Sequence, residues 1–171
     1  MIEKFDLQKF NQYKVKNIAT YNSDNGMVIE MRELGETYLK VISSRNSPFS
    51  TRLTFYKSNR SIKRRGTFFY NNPVGVSYEY DDQANLTKQI NCDSAYNFSI
   101  EKLIDLLKNK YQTDLMIPTK NIFVNRYIND ATHRPEYEII IRSEYPFFLD
   151  ILINGNTGDI IEEKAGNYIE D

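Results

Sequence analysis

Two side chains in this sequence carry the chemistry of a nucleophile and a base, and each occurs once: Cys92, in Asn91-Cys92-Asp93, and His133, in Thr132-His133-Arg134-Pro135. A cysteine becomes a useful nucleophile only when a base or a positive field draws off its proton. These two would have to be brought together from separate loops, and the simpler expectation is a surface histidine and a half-buried cysteine. The acidic pair Asp81-Asp82 stands at a predicted strand end, where carboxylates commonly form turns and less often do acid-base or cation-binding work. The chain has no Gly-rich phosphate loop, no Gly-x-Ser-x-Gly elbow and no His-Glu-x-x-His, motifs whose spacing builds the commonest hydrolytic and phosphate-binding sites. The residue chemistry therefore points to no catalytic residue, no metal and no cofactor.

The strongest local charge feature is Arg60, Lys63, Arg64 and Arg65. Guanidinium groups pair bidentately with carboxylates or phosphates. On a regular strand Lys63 and Arg65 would point one way and Arg64 the other, so the cluster forms no single flat patch. Two readings stay open: a solvated strand edge kept from aggregating by charge, or a surface for a partner. Nucleic acid is disfavoured as that partner, because Tyr and Phe are interleaved with acidic residues as often as with basic ones. The 22 basic and 23 acidic side chains, net charge -1, also give no long-range pull toward nucleic acid or anionic membrane.

The elements that must position these groups follow from length and pattern. A chain of 171 residues can bury a real core as one domain or two closely packed subdomains. With 13 Tyr, 10 Phe and 40% hydrophobic residues it has the apolar content that disordered chains lack. A single cysteine rules out an intrachain disulfide framework and a cysteine-cluster zinc site, and fits a reducing compartment. No apolar run approaches the roughly 18 residues of a spanning helix, and the start MIEKFDLQKF has no signal-like stretch. The expectation is a cytoplasmic protein that does not engage membrane.

Taken in order, residues 5–13 read as a short amphipathic helix capped by Asp6, with Phe5, Leu7 and Phe10 inward. Two strands, 13–21 and 26–32, flank the Asn25-Gly26 turn, with Met27, Ile29 and Met31 on one face. A third strand covers 37–43, and the polar run 43–50 reads as a loop. Over 52–91 short aromatic strands alternate with the turns Lys57-Ser58-Asn59-Arg60, Tyr70 to Gly75 and Asp81 to Asn85, predicting a twisted meander. In 74–81, Val74, Val76, Tyr78 and Tyr80 alternate with Gly75, Ser77, Glu79 and Asp81, the period of a half-buried strand. From the N-cap Ser99, the residues Ile100, Leu103, Ile104, Leu107 and Tyr111 recur at helical spacing. Strands are expected at 121–127, 137–142, 147–153 and 159–162, and beyond Lys164 the tail reads as frayed. The fold class is α+β: an antiparallel β-meander followed by one main helix packed on a small antiparallel sheet, with parts 1–95 and 96–171 forming one compact unit.

The segments Phe55 to Gly66, Phe69 to Gly75 and Tyr78 to Lys88 resemble the variant MORN repeat, in which aromatic, turn and Lys-rich strand build successive hairpins. Asn59 and Asn85 stand near positions where that family has Gly; Asn tolerates the left-handed backbone next best. The stretches 137–141 and 149–161, ending Asn154-Gly155-Asn156-Thr157-Gly158-Asp159-Ile160-Ile161, resemble the closing strands of the PepSY module. Together they are similar to immunity proteins of bacterial polymorphic toxin systems. The resemblance implies a non-enzymatic partner of a cognate toxin domain, bound through the solvent-facing residues Arg60, Lys63, Arg65, Glu79, Asp81 and Asp82, with Tyr78 and Tyr80 buried or serving as anchors. A non-enzymatic scaffold or peptide-binding module using exposed strand edges is the alternative.

Overall fold

The computed structural model describes residues 3–143 and 147–167. Its chain order is α1 (Leu7–Tyr13), β1 (Lys14–Val15), β2 (Ile18–Asn22), β3 (Val28–Leu34), β4 (Thr37–Ser43), β5 (Phe49–Tyr56), β6 (Ile62–Phe69), β7 (Asn72–Tyr80), β8 (Leu86–Asn91), α2 (Ile100–Tyr111), β9 (Ile122–Ile128), β10 (Pro135–Arg142), β11 (Phe147–Asn154) and β12 (Ile160–Asn167). The architecture is α+β and mostly antiparallel: an eight-stranded meander in the order β1 to β8, a four-stranded sheet in the order β12-β11-β10-β9, and two short helices. None of the described helices is long and apolar enough to cross a membrane. The chain divides into two compact units, Met1–Phe69 with Pro73–Cys92, and Tyr70–Asn72 with Asp93–Asp171.

In the first unit one face of the meander is closed by the N-terminal segment. Asp6 caps α1, its side chain accepting from the Lys9 amide at 2.9 Å, and Phe10 turns inward. Phe5, Phe10, Ala19, Ile29, Met31, Tyr38, Leu53, Phe55 and Ile62 form one buried cluster. Phe5 lies at its centre, stacked on Tyr38 at 4.2 Å and tilted against Phe10 at 5.6 Å and Phe55 at 5.5 Å. Aromatic contacts at such distances stabilise by about 0.5–1.5 kcal/mol each beyond the area they bury.

Several expectations are corrected in this unit. The strand expected over 13–21 is two, because the chain turns at Lys16 in a left-handed conformation (φ 59°) and folds Lys14 and Val15 back on Ala19 and Ile18. The loop expected over 43–50 ends at Pro48, since Phe49 already pairs with Phe69. In β7 the expected alternation is not kept: Gly75 takes a left-handed conformation (φ 65°), and the strand's two buried residues, Val74 and Ser77, stand three apart. Ser77 is 1% exposed while Val76 and Tyr78 are half-buried, because Ser77 sits under Gly66, where a Cβ would come within 2.7 Å of its Oγ.

In the second unit α2 begins at Ser99, whose hydroxyl accepts from the Lys102 amide at 3.4 Å, and ends at Gln112 in the left-handed region. It buries Ile100, Leu103 and Leu107, and Tyr111 at its end donates to Glu163 of β12 at 2.6 Å. On the sheet, Tyr137, Ile139, Ile151 and Ile153 are 0% exposed. The Tyr137 hydroxyl donates to the Phe98 carbonyl at 2.7 Å. The Arg126 guanidinium lies over the Tyr96 ring at 3.8 Å and pairs with Asp93 at 2.6 Å. The last strand is longer than expected: Ala165 to Asn167, read as frayed tail, pair with Leu149 to Phe147, while the rest of that tail lies outside the described residues.

Two outcomes follow from these cores. Phe5→Ala removes the ring shared by three aromatic neighbours and should cost about 3–5 kcal/mol of unfolding free energy in a urea titration. Burial, with Arg126 opposing, pushes the Tyr137 hydroxyl up to about 12. The unfolded chain releases that proton near the ordinary tyrosine value of about 10, so this stabilisation is complete below pH 10 and is lost as pH rises from 10 through 12. Stability measured across that window should fall, and Tyr137→Phe should reduce the fall.

Candidate functional site

The residues expected to meet a partner sit at one end of the meander, where two turns are stitched together. Between β5 and β6 the chain turns through Lys57 to Arg60, closed by Arg60 N–H to the Tyr56 carbonyl and Tyr56 N–H to the Ser61 carbonyl, both 2.9 Å. Arg60 takes the left-handed conformation there (φ 64°), and Ala84 does so in the turn after β7 (φ 63°). The asparagines expected to do this act through their side chains instead. Asn59 Oδ1 accepts from the Ser61 amide at 2.9 Å and hydroxyl at 2.8 Å, and its Nδ2 donates to the Asp82 carbonyl at 2.7 Å. Ser61 Oγ also lies 2.9 Å from that carbonyl, so its one proton is shared between the Asn59 and Asp82 oxygens. Asn85 donates to Asp81 from both its backbone (2.8 Å) and its side chain (3.0 Å). Those two bonds, with a third from the Gln83 amide, hold the Asp81 carboxyl below the usual carboxylate range.

Strand register then decides which charges share a surface. Phe55 pairs with Ile62 but Thr54 pairs with Arg64, so Lys63 is the extra residue of a β-bulge. A bulge adds one residue to one strand and re-aims the side chains around it. Lys63 and Arg64 consequently line the same open groove, of about 640 Å³, together with Tyr56, Glu79, Tyr80 and Asp81. Arg65 lies elsewhere, with Thr51, Thr67, Val76, Tyr78 and Tyr80 in a second concavity. The expectation that Lys63 and Arg65 point one way and Arg64 the other is thus corrected by the bulge. Arg60 and Asp82 border neither concavity; both are exposed in the stitched turns.

The groove carries both signs of charge at modest cost. Arg64 Nε lies 3.9 Å from Glu79 Oε1 with both side chains well exposed, an ion pair of the kind that contributes about 0–1 kcal/mol. Lys63 Nζ stands over the Tyr56 ring at 5.2 Å, and the Tyr56 hydroxyl donates to the Tyr80 carbonyl at 2.9 Å, tying β5 to the far end of β7. These side chains can receive a carboxylate, a guanidinium or an aromatic edge, and they include no nucleophile held against a base. Of the two residues first singled out for reactivity, Cys92 has Ser77 Oγ at 3.4 Å, and His133 is exposed in a left-handed turn (φ 54°) between β9 and β10. Among the described residues no group of three or more His, Cys, Asp or Glu is placed to hold a metal ion.

Sequence reasoning missed Tyr56, Thr54 and Arg64 as members of this surface. The signal was available in part, since Arg64 sits in the basic run, but only the bulge shows that it faces Glu79. The Asn59 stitch is the element on which the groove's end depends. Asn59→Ala should lower stability by about 1–2 kcal/mol and speed hydrogen exchange of the Ser61 amide. Asn59→Asp, which keeps the acceptor and loses the donor to Asp82, should protect that amide while recovering only part of the stability.

No protein-family model, curated protein or solved structure matches the chain, so the reading of this surface rests on its own geometry.

Proposed function

We propose that the protein is a non-enzymatic immunity protein that binds a cognate bacterial toxin domain and neutralises it by occlusion, acting in the cytoplasm. The observation that carries this reading is the groove in which Lys63, Arg64, Glu79, Tyr80 and Asp81 converge on one open surface. Neutralisation by binding needs a rigid surface with anchors and complementary charge, not a reacting centre. The groove offers a tyrosine floor and charges of both signs that are only weakly engaged with one another. The likeness of the central hairpins to variant MORN repeats, and of the closing strands to PepSY, belongs to the same proposal. So does the view of residues 96–171 as one main helix on a small sheet.

The alternative, a scaffold module that captures peptides by strand addition, draws on β8. It is an edge strand of the meander, exposed along most of its length, with Leu86 55% exposed.

The test is co-expression with the toxin encoded next to this gene. The intact chain should rescue growth and co-purify with the toxin. Lys63→Glu combined with Arg64→Glu should weaken the complex at least tenfold while the thermal midpoint stays within a few degrees. Failure of rescue against a toxin of proven activity sinks the immunity reading. Loss of binding on shielding or charging β8, with the groove variant unaffected, would favour the scaffold.

A further inference from the structure

The four-stranded sheet of the second unit has one buried and one open face, and the open one has a composition of its own. Register places Glu138 beside Asn125 and Leu152, Ile140 beside Phe123 and Asp150, and Asp150 beside Lys164. The opposite face of the same strands holds Tyr137, Ile139, Ile151 and Ile153, all fully buried. On the open side Phe123 is 40% exposed and Tyr127 39%, and Ile140 and Leu152 are half-buried. A sheet face with apolar side chains ordinarily receives a second layer; here it meets solvent.

The charges on that face do not balance. Glu138, Asp150 and Glu162 lie along it, with Glu136 buried at its end. Against them stand Lys164, paired with Glu162 at 2.8 Å, and Arg142, whose guanidinium lies over the Phe123 ring at 4.4 Å. Glu138 accepts from Asn125 Nδ2 at 2.7 Å and Glu136 from Asn129 Nδ2 at 3.1 Å. Asp150 is half-buried. Its carboxyl is pushed above the usual range first by burial, then by the nearby charges of Glu138 and Glu162, with Lys164 opposing. A half-desolvated carboxylate among like charges is relieved by one added cation, and apolar neighbours that exclude water strengthen the pair that forms.

We propose that this open sheet face docks a partner protein through a basic amphipathic helix. Its Lys or Arg side chains would meet Asp150 and Glu138, and its apolar side chains would cover Ile140, Leu152 and Phe123. The charge fixes the sign of the partner, and the apolar strip makes it a protein segment and not a small cation. The surface is separate from the hairpin groove, so the inference does not depend on the toxin-binding reading.

The test uses the full chain, isotopically labelled, and a synthetic 18-residue alanine-based helix with leucines along one face flanked by Lys and Arg. A second peptide carries Glu in place of every cation. Amide shifts on adding the basic peptide should map to β9, β10, β11 and β12 at open-face positions, with affinity at least tenfold above that of the acidic peptide. The shape-conserving pair Glu138→Gln and Asp150→Asn should weaken binding severalfold, and Glu138→Lys with Asp150→Lys should abolish it. Glu101→Lys with Asp105→Lys, on the exposed side of α2, should leave it unchanged. Equal binding of the two peptides, shifts on another surface, or full affinity in the Gln/Asn variant would overturn the proposal.

Discussion

The peptide around Arg60 is the constraint on which the first unit depends. Its carbonyl accepts the Phe5 amide at 2.9 Å, and beside that bond Lys4 bridges to Ser61. The N-terminal segment is thereby fixed where Phe5 completes the aromatic cluster. One residue earlier, Asn59 ties the same turn to the Asp82 carbonyl of the next hairpin. A meander is built of local pairings, each hairpin closing on its neighbour, and nothing in that pattern forces distant turns into one plane. Three segments meeting at residues 59–61 supply the missing long-range restraint. Because Arg60 has a Cβ, its left-handed conformation is costlier than a glycine's would be, and the bonds that converge there offset that cost.

The same end of the sheet shows why two charged neighbours need not behave as the strand period predicts. A bulge leaves the hydrogen-bond ladder one residue out of step, so everything beyond it changes face relative to a regular strand. At Lys63 the shift gathers Lys63 and Arg64 with Glu79 and Asp81, and sends Arg65 to the surface of Tyr78. A second register shift, between Glu79 and Tyr80 of β7 as it meets β8, lies directly across this groove. Irregular ladders also twist strands more strongly, which is a physical reason for a concavity at this point of an otherwise regular sheet.

How much of this could be read from sequence depended on whether a signal was local. The Asp6 and Ser99 caps, the twelve-residue helix and the strand at 37–43 follow from residue types a few positions apart, and all are present. The register shift at Lys63 does not, because it is set by how Phe55 and Ile62 both reach the core. The left-handed roles of Arg60 and Ala84 were hidden for a related reason. Asn59 and Asn85 are the better intrinsic candidates, but their side chains are worth more as bridges to Ser61 and Asp81. Ser77 looked like a solvent-facing member of an alternating strand, and only the absence of a side chain at Gly66 makes room to bury it.

The second unit solves a different problem with a similar economy. Its interior holds the buried Tyr137 and the Arg126 side chain, with Tyr96 half-buried beside them, and their polar ends need partners. Tyr137 finds the Phe98 carbonyl, Arg126 finds Asp93, and Tyr96 donates to the Tyr127 carbonyl at 3.0 Å. Each of these bonds joins the segment before or at the start of α2 to the strands, so the helix is positioned by polar contacts as well as by Leu103 and Leu107. The small glycines of the following turn extend the logic: Gly155 approaches the Pro135 backbone and Tyr96, and Gly158 the Phe98 ring, both too closely for a Cβ. With Tyr137, Arg126 and Glu163 engaged by the segment before α2 and by its last turn, the sheet leaves Glu138, Asp150 and Glu162 on the other face. That asymmetry, not an excess of acid in a chain of net charge -1, gives the open face its sign.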